Sequence, residues 1–320
     1  MYKILWFFVV SISAFSQANG VVRGPLSGYV GDAPTQSIRP IVGVLGGAYL
    51  GNAVLEGVTK AWVAPEGGRA VILRQDQYFL ISGLDTGVLR TDETPMEVAG
   101  PDAIVAWATD GTLVAVAGNG SLQIAGWRGT DKVWAVDSVR VIPIGIVKAL
   151  AVNSKIKSLA VAISQDDGVG VHVGPAWGGE LKTIYVGRAV SALAYSHTRE
   201  TLYVSDRGEG QILSFTGSGA RAEGVGSSNP DEYRDVIALA VASDDGAVYS
   251  VHADRRVVVK HSLADRSIHA VEVDGTPNGI TSIPATGLYI VALREKASDS
   301  VLAFDSLSDV LYFIPGGGVQ

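Results

Sequence analysis

The chain has 320 residues, 47% of them hydrophobic, and a net charge of −7 from 25 basic and 32 acidic side chains. Its lysines and arginines form no clustered run, which argues against a nucleic-acid partner, because phosphate recognition needs grouped cations. Cysteine is absent, so disulfides, thiolate catalysis and sulfur-ligated metals are excluded and a packed core must supply the stability.

The first segment is the longest apolar block. Met1-Tyr2-Lys3 brings one positive charge, residues 4–15 form a predominantly apolar h-region, and Ser16-Gln17-Ala18 places small residues at the −3 and −1 positions of a cleavage site. This predicts a signal peptide over 1–18 that is removed on export. A bilayer span would need roughly 18 to 20 apolar residues, more than this block offers. The mature chain, 19–320, is expected as one domain in the periplasm or outside the cell, with no membrane anchor left after cleavage.

Two strands come next, Ser27-Gly28-Tyr29-Val30-Gly31-Asp32 and 37–43, and they resemble the last pair in the chain, 301–305 and 310–314. From there one phrase returns six times: Lys60-Ala61-Trp62-Val63, Val105-Ala106-Trp107-Ala108, Lys148-Ala149-Leu150-Ala151, Ser191-Ala192-Leu193-Ala194, Ile237-Ala238-Leu239-Ala240 and a degraded Gly279-Ile280-Thr281-Ser282. The central residues are 45, 43, 43, 46 and 42 positions apart, the period of a four-stranded propeller blade. After each phrase, taken as innermost strand A, comes a glycine turn and then strand B at 70–73, 113–116, 159–162, 202–205, 248–251 and 288–291. Strand C follows at 78–81, 122–125, 169–173, 211–215, 257–260 and 301–304, and a less regular strand D ends each blade. Alanine suits strand A because blades taper toward the axis. The fold expected is an all-β propeller. Six four-stranded blades, closed into a ring by the N-terminal strands joining the last blade, is the first reading, and seven blades is the second.

Two copies resemble NHL-type repeats. Leu202-Tyr203-Val204-Ser205-Asp206-Arg207-Gly208 followed by Gln211-Ile212-Leu213-Ser214-Phe215 is close to that pattern, and Pro277-Asn278-Gly279-Ile280 with Leu288-Tyr289-Ile290-Val291 is looser. The other blades match only the general WD-like and NHL-like pattern of bacterial propellers. The resemblance implies scaffolding and binding of ligands or proteins, with enzymes in the minority.

Blade geometry gathers the B–C turns on one face, the conventional binding face of propellers. These turns carry Arg74 and Asp76, Asn119, Asp166 and Asp167, Asp206, Arg207 and Glu209, His252, Asp254 and Arg255, and Arg294, Glu295 and Asp299. A ring of mixed charge there could hold a polar or carbohydrate ligand, or a partner's loop. The same residue types are ordinary turn formers. Trp127 and Trp177, each beside glycines just after strand C, are a second constellation, suited either to stacking on a sugar or a partner or to capping the edge between blades.

The sharpest enzymatic alternative is a divalent-cation hydrolase. Glu56-Gly57 ahead of Trp62, together with Pro277-Asn278-Gly279, resembles sugar-lactonase propellers, in which a Glu and an Asn help hold the cation. Here Pro-Asn-Gly falls in the last blade and no general base is identifiable. The five histidines lack metal-binding spacing, and no nucleophile elbow precedes a helix. The expectation is an exported, non-catalytic, monomeric binding or scaffold propeller that uses no cofactor.

Overall fold

The computed structural model describes residues 25–85, 90–100, 102–118, 120–137, 140–142, 145–217, 220–226, 229–283, 287–294 and 300–316. The predicted signal peptide, Asn119, Glu295 and Asp299 lie outside them. Among the described residues the chain forms seven antiparallel sheets, and no helix is long and apolar enough to cross a membrane.

Seven blades, the second of the two counts expected, is what the structure has. The six repeated phrases are the inner strands of blades 2 to 7: Lys60–Val63, Ile104–Trp107, Ile146–Asn153, Val190–Tyr195, Val236–Val241 and Pro277–Ser282. Strands B and C fall where the sequence puts them; in blade 5, for example, they are Thr201–Asp206 and Gln211–Thr216.

The correction concerns the N-terminal pair. Leu26–Asp32 and Ser37–Val42 do not add to the last blade. They are strands A and B of a blade of their own, whose third strand is split into Tyr49–Leu50 and Leu55–Glu56, both paired to Ser37–Val42. The last blade has no vacancy, because Val310–Ile314 already pairs as its strand D. Closure runs the other way: the chain after strand D reaches blade 1, where the Leu50 amide donates to the Pro315 carbonyl at 3.0 Å and Leu50 bridges Gly316 in parallel.

Seven hydrophobic clusters fill the seven junctions between blades. The junction that closes the ring joins Ile41 and Leu50 of blade 1 to Leu288, Ala303 and Ile314 of blade 7. Burial of such side chains contributes about 1.5–3 kcal/mol each, so the ring is held chiefly by blade-to-blade packing. Blade 1 also lies very close to blade 2: a Cβ on Gly31 would sit 2.9 Å from the Ala61 carbonyl oxygen. On the A–B turn face side chains link successive blades. Ser154 donates to Asp110, Asn153 Nδ2 donates to the Ser196 carbonyl, and the Asp245 carboxylate accepts from the His197 and Thr198 amides.

Strand A carries a register shift near its entry in blades 1, 4, 5, 6 and 7, ahead of Gly28, Ala149, Ala192, Ala238 and Gly279. One extra residue at that point bends the strand and increases its twist. In blade 7 this residue is Asn278, which is exposed.

Candidate functional site

Arg74, Asp206 and His252 are the same residue in three blades, the last of strand B. In each case the side chain turns back to the loop that leads into its own blade. Arg74 donates to the carbonyls of Glu56 and Gly57 and pairs with Glu93 at 2.6 Å. Asp206 is fully buried and accepts from the amides of Arg188, Ala189, Gly208 and Glu209 and from the Tyr185 hydroxyl. Burial, followed by that bond to Asp206, pushes the Tyr185 phenol up to about 12. His252, also fully buried, bonds Asp235 through Nδ1 at 2.7 Å. A cation, an anion and an imidazole thus do one job: each staples the B–C corner to the preceding loop.

Around His252 lies a network that the sequence did not disclose. Ser250 Oγ is 2.9 Å from His252 Nε2 and 2.8 Å from His261 Nε2. Burial lowers the pKa of His252, and burial and then His252 lower that of His261 to about 4, so both rings are neutral at pH 7. Burial would raise Asp235, but the His252 imidazole and the Arg255 amide outweigh it and hold the carboxyl below its ordinary value. One proton arrangement satisfies the chain: His261 Nε2–H donates to Ser250, Ser250 to His252 Nε2, and His252 Nδ1–H to Asp235. His261 Nδ1 is then the buried atom without a partner. Serine, histidine and aspartate are spaced as in a nucleophilic triad. Ser250 is fully buried, however, and does not line the central channel, so the channel gives a substrate no access to it.

The remaining turn residues divide in two. Arg207 and Arg255 are exposed, but their guanidiniums donate to the carbonyls of Arg234 and Glu232. Asp76, Asp167, Asp254 and Arg294 are exposed and carry no side-chain partner among the described residues. Among the described members of the predicted set, Arg294 alone reaches the main cavity.

That cavity is the central channel, about 1200 Å³ and walled by all seven inner strands. Trp62, Trp107, Leu150, Leu193, Leu239 and Ile280 make most of it apolar, and the Trp107 indole is fixed by donating to the Trp62 carbonyl at 3.0 Å. On the blade 7 side the cavity spreads outward over Ile290, Ala292, Val301 and Phe313. The mouth on the B–C turn face carries Arg256, Asp274, Asn278 and Arg294, none with a side-chain partner among the described residues. Local backbone geometry presents these groups. Arg256 has a φ of 54° at the end of its turn, Asn278 is the extra residue of a bulge, and Arg294 opens the last B–C turn. Sequence reasoning missed Arg256 and Asp274, since among three consecutive charges, Asp254-Arg255-Arg256, only the turn's conformation decides which one faces the axis.

The lactonase resemblance does not converge here. Asn278 is at the channel mouth, whereas Glu56 lies in the split third strand of blade 1, off the channel, where its carbonyl accepts from Arg74. Among the described residues no three His, Asp or Glu side chains come together as a metal site.

These features define a seven-bladed β-propeller with an apolar channel and one charged mouth. Solved propellers share the fold. A putative 6-phosphogluconolactonase from Bacteroides uniformis aligns with TM-score 0.61 and 14% identity over 90% of this chain and 94% of that one. The WD40 repeats of RRP9 give 0.57 and 15% over 82% of each chain, and a chain of the nidogen/laminin complex gives 0.56 and 13% over 78% of this chain and 94% of that one. At such identities the likeness is one of fold. No family model matches the sequence, and no curated protein matches it.

Proposed function

We propose that this protein is an exported, non-catalytic binding propeller whose partner docks over the channel mouth at blades 6 and 7. The observation that carries the reading is the state of the charges. Arg74, Asp206, Arg207, His252 and Arg255 are spent on neighbouring loops, and Asp76, Asp167 and Asp254 do not line the channel, while Arg256, Asp274, Asn278 and Arg294 frame its opening with no side-chain partner among the described residues. Polar groups around an apolar centre are the usual anatomy of a protein interface. Export rests on the apolar block ahead of Ser16-Gln17-Ala18, and kinship with NHL-type repeats rests on blades 5 and 7. The nidogen/laminin and WD40 neighbours are consistent with a binding role.

The test is capture from the native exported fraction by the wild type and by an Arg256→Glu, Arg294→Glu variant. Reversing two rim charges should lower recovery of the bound species about tenfold and leave thermal stability within about 1 °C, because both side chains are exposed. Equal recovery would remove the mouth from the interface. A second reading, a lactone hydrolase, draws on the position of Asn278. Calcium-dependent hydrolysis of a sugar lactone that Asn278→Ala abolishes would displace the binding reading.

A further inference from the structure

The opposite face carries a groove at the junction of blades 3 and 4, about 350 Å³, at the small end of the ~300–1,000 Å³ range of ligand sites. Two tryptophans line it. Trp177 is 39% exposed on the loop after strand C of blade 4, and its indole lies against Gly126 of blade 3, where a Cβ would come within 2.5 Å of the ring. The loop that carries it is anchored: Arg140 donates to the carbonyls of Pro175 and Ala176, and the Ala176 amide donates to the Lys157 carbonyl. Trp127 is held from behind. The Arg69 guanidinium, itself paired with Glu66 at 2.6 Å, lies 5.1 Å from its ring centre, and Trp134 meets it edge-on at 5.2 Å. Both aromatic surfaces are therefore pre-positioned, which reduces the ordering entropy a ligand must overcome.

The polar groups of the groove have a definite sense. The hydroxyls of Thr112 and Ser154 both donate to the Asp110 carboxylate, at 2.8 and 2.7 Å, so their oxygens are left as acceptors. Arg128 and Lys157 are exposed, with no side-chain partner among the described residues. In the middle of the groove Gly126 is already paired on both sides, with Leu113 and with Ala135, so a peptide cannot add there as a strand.

We propose that this groove is a binding site for an acidic saccharide, a pyranose chain carrying uronate carboxylates. The C–H faces of the sugar rings rest on Trp177 and Trp127, ring hydroxyls donate to Thr112 and Ser154, and the carboxylate meets Arg128 and Lys157. The site is independent of the channel mouth.

Calorimetric titration of the full chain with tetragalacturonate, neutral cellotetraose and a hexaglutamate peptide tests it. Tetragalacturonate should bind, with cellotetraose about tenfold weaker and hexaglutamate weaker still. Trp177→Ala should lower uronate affinity about tenfold or more with the melting temperature unchanged, since the ring is partly in solvent. Arg128→Ala with Lys157→Ala should remove the preference for uronate over cellotetraose without abolishing binding of either. Absence of binding by tetragalacturonate, full affinity in Trp177→Ala, or hexaglutamate binding as tightly as the saccharide would each overturn the proposal.

Discussion

His261 stays neutral inside blade 6 because burial, and after it the neighbouring His252, disfavour a positive charge on its ring, and this ties stability to pH. Its pKa, about 4 in the folded protein, rises to the ordinary imidazole value of about 6.5 when the chain unfolds. The unfolded chain therefore takes up the proton first, and stability falls as pH drops from about 6.5 toward 4. The whole effect is about 3 kcal/mol. His252 shifts in the same direction and adds to it. Thermal melts at pH 7 and pH 4.5 should show the loss in the wild type and a clearly smaller one in His261→Phe, which removes the titrating ring while Ser250 keeps its bond to His252. Equal losses in the two proteins would place the pH dependence elsewhere. Asp206→Ala would strand four backbone amides and the Tyr185 hydroxyl and should lower stability by about 3 kcal/mol or more, read by chemical denaturation. A loss under about 1 kcal/mol would show that water replaces the carboxylate. His261, on strand C, was not singled out in the sequence, whereas Asp206 and His252 were visible there as turn residues. Their direction was not, because a residue at the end of strand B faces either solvent or the preceding loop according to a twist that period and composition do not report.

At the scale of the strand, the innermost strands were legible because six of them share an alanine-flanked phrase at a nearly constant spacing. Blade 1 was not. Its inner strand runs Ser27-Gly28-Tyr29-Val30 where the others carry the phrase, so the flanking alanines that mark the repeat are missing. Its third strand is split, so neither of its pieces is long enough to show a period of two. The likeness between the first and last strand pairs did not report a shared place, since the first pair is strands A and B of blade 1 and the last is strands C and D of blade 7. Closure through the C-terminal segment carries its own prediction. Ending the chain after Ile314 removes the Pro315 carbonyl that holds the Leu50 amide, so that amide should lose hydrogen-exchange protection while the amides of strand B in blade 4, Ser158–Gln165, keep theirs. Retained protection at Leu50 would show that hydrophobic packing alone seals the ring.

For the whole molecule, seven blades open a channel wide enough to be a site, and the two faces around it differ in chemistry. The B–C turn face presents a charged mouth concentrated on blades 6 and 7, and the opposite face presents the tryptophan groove between blades 3 and 4. The sequence placed Arg294 on the B–C turn face, where the structure has it, and singled out Trp127 and Trp177. It could not show that the mouth is lopsided, because that depends on a bulge at Asn278 and on the left-handed backbone at Arg256. The most direct measurement of the account is hydrogen exchange of the protein with and without the species it captures. The account predicts new protection at 253–256 and 274–279, with none at 112–113 or 154–157. Protection confined to the opposite face, or spread evenly over all seven sets of turns, would contradict it.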